Sequence, residues 1–410
     1  MVVDESRSNE LKIILLQDHL RSGGAARAAS RWERLLTESG HTVVQVAGDE
    51  KSVSGTLLTG KPPRGWGRVL ELVVGRGPRK KTVNRAWMEL LEREKPDLVW
   101  AHNIAGGEKW GWSVEMLCLA RETCPVLWTL HDMWGLADRS ESYWDKETAV
   151  EGGRGQGAEQ SGSKVKQCEG EKVGSRGKSR VSRVCGEGGK YPVTLTAPSR
   201  WLAELTDHVT GQSCRHLPNP IDLQAFSPGD RAEARRSLGL PPTGLLVLAG
   251  ADSLQDPRKG MDLLAEAWRE IHLPGAQLVL FGRGKPEISG SICLGSLESD
   301  RALANAYRAA DLYVHPARME NAPCTIQESQ ACGTPVLAFA VGGIPEMVEK
   351  GRTGFLCQPV SAATLGQGLK EALSNPARLE EMREVCRHVS HDSGLREKFE
   401  TLWKEIRRIT

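Results

Sequence analysis

The chain has 410 residues, enough for two domains of ordinary size. Its 54 Lys and Arg nearly cancel its 52 Asp and Glu, so the net charge of +2 creates no field that would recruit nucleic acid. Hydrophobic residues, at 39%, suffice for two cores, and no apolar run reaches the roughly 18 residues a spanning helix needs.

The first half alternates strand and helix signals. Met1 to Glu10 is polar and has no apolar leader core. Lys12 to Leu16 is a short apolar run, followed by Gly23-Gly24 and a helical stretch from Ala25 to Glu38. Strand signals recur at His41 to Ala47, Asp97 to Ala101, Val126 to Leu130 and Val193 to Ala197, with helices over Ser113 to Glu122 and Arg200 to Val209. Such alternation predicts a parallel sheet with crossover helices.

Two segments interrupt the pattern. Lys61 to Lys95 carries ten Lys or Arg against four Glu, with Trp66 and Trp87 interleaved. It reads as a solvated helix pair with ordinary core contacts, with peripheral contact to a membrane surface through 61–95 as the alternative. Residues 151–190 hold eleven glycines and no Phe, Trp, Leu or Ile. That composition predicts a disordered insertion, and Cys168 and Cys185 within it make a poor metal site.

The second half repeats the scheme. Strand signals lie at Leu245 to Ala249, Gln277 to Phe281, Asp311 to His315 and Pro335 to Phe339. Helix signals lie at Met261 to Ile271, Arg301 to Ala309, Pro323 to Cys332 and Ile344 to Lys350. The strands are continuous apolar runs, as strands covered on both faces should be. The expected organisation is an N-terminal domain over 1–217, a proline-stiffened linker over 218–229, and a C-terminal domain over 230–390. An amphipathic helix over 391–410 completes it, with Leu395, Phe399, Leu402, Trp403, Ile406 and Ile409 on one stripe. Cys118, Cys293, Cys324, Cys332 and Cys357 sit in apolar or glycine-rich contexts, which reads as reduced core cysteines in a cytosolic compartment.

Candidate chemistry collects at strand ends. Glu320 and Glu328 flank a segment, Asn321-Ala322-Pro323-Cys324-Thr325, in which Pro323 opens a helix. The helix N-terminus would offer N–H groups to an anion, and the carboxylates would hold hydroxyls. Arg258 and Lys259 follow the first strand of the second half, where cations suit a diphosphate. Gly282 and Gly284, and later Gly342-Gly343, end strands and would admit a close ligand. In the first half, Gly23, Gly24 and Arg27 form a candidate phosphate or acceptor loop, or an ordinary tight turn. His131-Asp132 end another strand; either a cleft pair or a structural histidine beside a helix cap fits that position.

Seven segments in order resemble the retaining glycosyltransferases of family 4. They are Gly23-Gly24-Ala25-Ala26-Arg27, Thr129-Leu130-His131-Asp132-Met133-Trp134, Ala197-Pro198-Ser199-Arg200-Trp201-Leu202, Leu217-Pro218-Asn219-Pro220-Ile221-Asp222, Asp256-Pro257-Arg258-Lys259-Gly260, the two-glutamate segment through Val336, and Gly342-Gly343-Ile344-Pro345-Glu346. The match is closest to members that build bacterial exopolysaccharide and surface glycans. It implies the α/β GT-B fold, two Rossmann-like domains with parallel sheets facing a cleft, with the last helix crossing back to the first domain.

The resemblance also implies a hexosyltransferase whose co-substrate is a nucleotide-diphosphate sugar, with a glycan or lipid-linked acceptor and no cofactor. Lys259 would bind the diphosphate, Glu328 the ribose and Glu320 the transferred sugar, while His131 would face the reacting centre. No Asp-x-Asp sequence occurs, so a metal-held diphosphate is not expected; cations and the helix dipole would serve instead. Two departures stand out. Gly250-Ala251-Asp252 replaces a segment that carries arginine in many relatives, and Gly135-Leu136-Ala137-Asp138 with the insertion replaces a Gly- and Cys-rich stretch. The second departure motivates an alternative: a catalytically impaired relative that binds nucleotide or glycan as an assembly partner.

Overall fold

The computed structural model describes residues 10–19, 23–48, 56–57, 77–104, 111–136, 179–186, 188–271, 275–284, 288–388 and 394–409. Among these the chain forms two compact units. The first holds the described residues up to Pro220 and those from Gly394 on; the second begins at Ile221.

In the first unit the order is β1 (Lys12–Gln17), α1 (Gly24–Glu38), β2 (Thr42–Ala47), β3 (Thr56–Leu57), α2 (Gly77–Glu94), β4 (Leu98–Ala101), α3 (Glu115–Ala120), β5 (Val126–Thr129), α4 (Arg180–Cys185), β6 (Val193–Ala197), α5 (Arg200–Thr210) and β7 (Cys214–His216). These strands form one seven-stranded sheet in the order β3-β2-β1-β4-β5-β6-β7. Every pairing is parallel.

In the second unit the order is α6 (Arg231–Ser237), β8 (Leu245–Ser253), α7 (Met261–Glu270), β9 (Ala276–Arg283), β10 (Ile292–Cys293), α8 (Asp300–Ala309), β11 (Leu312–His315), α9 (Cys324–Ala331), β12 (Val336–Phe339), β13 (Gly354–Cys357), α10 (Ala362–Leu373) and α11 (Pro376–His388). Its six-stranded parallel sheet runs β10-β9-β8-β11-β12-β13. Both are doubly wound Rossmann-like sheets, and both reverse strand order once: between β1 and β4, and between β8 and β11. Ligands bind outside the carboxyl ends of strands at such switch points.

The apolar runs form strands because helices cover both faces. Two clusters flank the second sheet: Val247, Leu278 and Leu337 face α7 and α10, while Leu248, Tyr313 and Val336 face α8 and α9. Ile221 and Phe226 are core residues of the second cluster. The segment from Ile221 to Phe226, between Pro220 and Pro228, is therefore packed on the second unit rather than acting as a spacer, because its two large apolar side chains are buried in that core. The last helix, α12 (Leu395–Ile409), belongs to the first unit. Its Phe399, Leu402, Trp403 and Ile406 close a core with Leu15, Trp32 and Trp100.

Two sequence expectations need correction. Residues 180–185, expected to be disordered, form α4. Ser179 caps it by accepting from the Ser182 N–H at 3.0 Å, and Val181 and Val184, three apart, are fully buried. Arg180 donates to the Trp134 carbonyl at 3.0 Å and lies over the Trp134 ring. Two valines spaced for one helix face outweigh a glycine-rich average; residues 151–178 lie outside the described residues. Trp87 makes the kind of core contact expected of its segment: its ring is buried, and its Nε1 donates to the Met116 carbonyl at 2.8 Å. Residues 61–76 lie outside the described residues. Cys293 is exposed, because β10 is a two-residue edge strand. No disulfide joins the described cysteines.

Phe399 lies 5.3 Å from Trp100, 7° from parallel, and is 2% exposed. Phe399→Ala is expected to destabilise the first unit by about 3–5 kcal/mol, through lost burial and the cavity left behind. Urea unfolding measures it; a loss under about 1 kcal/mol would mean the last helix contributes little to that core.

Candidate active site

The polar groups at the second unit's switch point come from two neighbouring strands. β8 is followed by a tight turn, Pro257–Lys259, that Asp256 caps by accepting from the Arg258 N–H at 3.0 Å. β11 is followed by Pro316 to Pro323 and then α9. Gly260 joins the two. Its φ is +66°, and a Cβ there would come within 1.9 Å of the Pro316 carbonyl oxygen. Only glycine lets this turn lie so close beneath the other loop. Arg318 stitches them further, donating to the Pro257 carbonyl at 2.8 Å and to both Asp262 oxygens.

Lys259 and Glu320 meet as a result. Lys259 Nζ lies 2.6 Å from Glu320 Oε2. Burial alone would push the Glu320 carboxyl up, but the Lys259 ammonium and the His315 ring outweigh it and hold it well below the usual carboxylate range. His315, the last residue of β11, has Nε2 3.5 Å from the same oxygen. Its Nδ1 lies 3.3 Å from the Tyr313 hydroxyl and 3.5 Å from Thr325 Oγ1. Burial lowers its pKa, with Lys259 adding to the effect and Glu320 opposing it, so the ring is neutral near pH 7.

Thr325 sits in the first turn of α9. That helix starts after Pro323, which makes no side-chain cap bond, so the positive end of its dipole lies beside His315. Asn321 and Cys324 are buried at this helix start, and Ala322 lies between Asn321 and the Pro323 cap. Glu328 follows Thr325 by one turn, is fully buried, and accepts from the Tyr307 hydroxyl at 3.3 Å. The chain of contacts thus runs Lys259–Glu320–His315–Thr325 and reaches Glu328 along the helix.

Other sequence candidates fare differently. Arg258 is bound to Asp256 through Nε at 3.1 and 3.2 Å and Nη2 at 2.7 Å. Gly282 has φ +128°, and a Cβ there would lie 1.9 Å from the Ala251 carbonyl oxygen; the neighbouring loop accounts for that glycine. Gly250 is likewise held against Phe281, which an added Cβ would approach to 2.4 Å, and so cannot be an arginine. The adjacent Asp252 pairs with Arg283 at 2.6 Å.

In the first unit, Gly23 is the N-cap of α1 with φ +91°. Gly24 opens that helix, and the Arg27 N–H bonds the Gly23 carbonyl at 3.2 Å. His131 follows β5, with Nε2 2.9 Å from Nδ1 of His102. Asp132 accepts from the Trp134 N–H at 2.8 Å. Sequence reasoning missed His315 and His102. Both end or follow apolar strands, as His131 does, so the signal that singled out His131 was present for them too.

Lys259→Met removes the cation that keeps Glu320 ionised. The folded carboxyl titrates below its unfolded value near 4.5, so the pair's stabilisation is complete above that pH and is lost as pH falls through the lower folded value. The variant is expected to be about 2–3 kcal/mol less stable than wild type at pH 7, allowing for partial exposure of both side chains. Urea unfolding across pH 7 to pH 4 should show the gap narrowing at the acid end; a gap that widens on acidification contradicts the pairing.

Comparison with known proteins fits this geometry. Residues 245–375, about a third of the chain, match the family model of glycosyl transferases group 1. Curated relatives include D-inositol 3-phosphate glycosyltransferases. That of Actinosynnema mirum is 38% identical over 192 residues, covering 39% of this chain and 46% of the relative. That of Rhodococcus erythropolis is 33% identical over 193 residues, covering 42% and 43%. The chain spans less than half the length of the curated relatives it matches. Among solved structures, sucrose-phosphate synthase from Thermosynechococcus elongatus aligns with a TM-score of 0.70 at 20% identity, over 98% of this chain and 100% of the other. HepE of Anabaena in complex with UDP aligns with a TM-score of 0.66 at 16% identity, over 96% and 100%. The chain has the GT-B fold, and its second unit is similar to the glycosyl transferases group 1 over residues 245–375.

Proposed function

We propose that this protein is a retaining glycosyltransferase that moves a hexosyl group from a nucleotide-diphosphate sugar to a glycan or lipid-linked acceptor in surface polysaccharide synthesis. The observation that carries the reading is the Lys259–Glu320 pair at a switch point, beside the N-terminus of α9. Rupture of the sugar–phosphate bond puts negative charge on the diphosphate and positive charge on the sugar. Lys259 and the α9 dipole meet the first, and the ionised Glu320 meets the second. Positive charge fixed in advance at the leaving group is usually the largest catalytic contribution, and here it needs no metal. Glu328, one turn into α9, is the candidate for the ribose.

The balance of the step is simple. The bond from the anomeric carbon to the diphosphate oxygen breaks, and a bond to the acceptor oxygen forms on the same face. The acceptor's proton passes to a diphosphate oxygen, so no side chain acts as base. HepE of Anabaena, a structural neighbour, has been seen with UDP and with UDP-glucose, which favours a uridine donor as the first to test. The curated relatives' name favours a second acceptor reading, a phosphorylated inositol.

Thermal shift over a panel of nucleotide-sugars identifies the donor, since a bound donor raises the melting temperature. With that donor, Lys259→Ala and Glu320→Gln are each expected to lower slow donor hydrolysis and transfer by about 100-fold or more. Turnover unchanged in either variant would remove the site from the mechanism. A wild type that binds donor but neither hydrolyses nor transfers it would favour the assembly-partner alternative. An inverted product anomer would overturn the retaining course.

A further inference from the structure

The first unit carries a buried polar pair that the reading above does not use. Gln17 ends β1 and His102 follows β4, the two strands at the switch point. They continue the register Leu15↔Trp100 and Leu16↔Ala101, so they stand side by side. Each is 1% exposed. Both amide atoms of Gln17, and Nε2 of His102, find no hydrogen-bond partner among the described residues. The other nitrogen of His102, Nδ1, is 2.9 Å from His131 Nε2. The two imidazoles have centroids 5.2 Å apart and planes 24° apart, which suits a bond lying near both ring planes. On its other side His102 lies against Trp100 at 5.1 Å, and Trp100 against Phe399 at 5.3 Å.

We propose that His102 is a positioning residue that fixes His131 as the Nδ1–H tautomer, so that His131 meets substrate as a hydrogen-bond donor and not as a base. The inference rests on the proposed transferase reading, together with the expectation from the family resemblance that His131 faces the reacting centre. One proton lies between the two rings, and it can belong to either. If His131 Nε2 carried it, neutral His102 would bear its own proton on Nε2. That would be a buried N–H with nothing to receive it, since the Gln17 amide does not reach it. Orphaned buried N–H groups are rarer in proteins than unsatisfied acceptors. The proton therefore sits on His102 Nδ1, and His131 Nε2 accepts it. Neutral His131 then carries its own proton on Nδ1, and each ring sets the tautomer of its neighbour. Burial supports the neutral forms: it lowers the His131 pKa to about 4, and holds that of His102 well below the usual imidazole range, with the His131 ring adding to the effect. A donor at this place matches a mechanism in which the leaving diphosphate, not the protein, takes the acceptor's proton.

Nitrogen-15 NMR of the histidine-labelled full chain near pH 7 reads the tautomer directly. The expected result is His131 protonated at Nδ1 with an accepting Nε2; protonation at Nε2 overturns the proposal. His102→Phe keeps a ring against Trp100 but has no N–H. It should release the His131 tautomer and lower kcat about 10- to 100-fold, as a misplaced catalytic group does, with donor KM nearly unchanged. His102→Asn, whose amide nitrogen lies near the place of Nδ1, should recover most of both. A His102→Phe protein with wild-type tautomer and kcat would rule the role out. If that variant does not fold, the wild-type spectrum and His102→Asn decide. The spectrum needs no activity, so it stands or falls separately from the transferase reading, which the Lys259 and Glu320 variants test.

Discussion

The second unit's chemistry depends on one close contact, the 2.6 Å bond from Lys259 to Glu320. The two residues are sixty-one positions apart in the chain. They meet because β8 and β11 are neighbours in the sheet although β9, β10 and α8 intervene in sequence. The meeting also requires Gly260. Any side chain there would force the Pro257–Lys259 turn away from Pro316, and the lysine with it. His315 lies beside the same carboxylate, its Nε2 3.5 Å away without a hydrogen bond, and its Nδ1 is 3.5 Å from Thr325 at the start of α9. The arrangement supplies a positive site and a negative site a few ångströms apart, already in place before any donor arrives.

The same arrangement explains how much of the site could be read from sequence. Lys259, Glu320 and the Pro323 helix were legible because charge and proline interrupt apolar strand–helix alternation at each strand's carboxyl end. His315 was not, although it occupies the same kind of position. A histidine closing an apolar run reads equally as core filling, and what identifies it is the neighbouring strand. Strand order is a property of the fold and cannot be counted along the chain. His102 escaped for the same reason: its meaning comes from β5, which carries His131 to its side. Gly282 shows the opposite ambiguity. A glycine at a strand end suggests ligand approach, yet Ala251 accounts for this one.

The fold itself was more legible than its edges. Long apolar runs such as Leu245 to Ala249 are strands because both faces are covered, and that signal is local. The missed strands, Thr56–Leu57, Cys214–His216, Ile292–Cys293 and Gly354–Cys357, are the outermost ones at both edges of each sheet. They are short and partly polar or glycine-containing, and they form because a neighbour offers a ladder. Helix α6 is equally hard to read, since its sequence, Arg231–Ser237, is mostly charged. Its anchor is Arg235, which is buried and donates to Asp311 and to the carbonyls of Ala309 and Gly244. A helix held by a buried guanidinium carries no apolar period for pattern reasoning to find.

The two units apply one rule with different chemistry. At each switch point polar groups at or beyond the carboxyl ends of two neighbouring central strands lie side by side. In the second unit these are a cation and an anion, and the proposed ligand carries charge: a diphosphate that leaves and a sugar that becomes electron-poor. In the first unit the groups are an amide and an imidazole, both uncharged and both deeply buried. Neutral donors and acceptors discriminate among hydroxyls, whereas charges discriminate between ions. The proposed transfer, in which the leaving group takes the proton, calls for both kinds of chemistry: strong fixed charge for the leaving group, and hydrogen bonds of defined direction for hydroxyls. His102 matters to this logic because direction is what a lone histidine lacks. Its two nitrogens can exchange the roles of donor and acceptor, and a second imidazole with one unsatisfied buried nitrogen removes the choice.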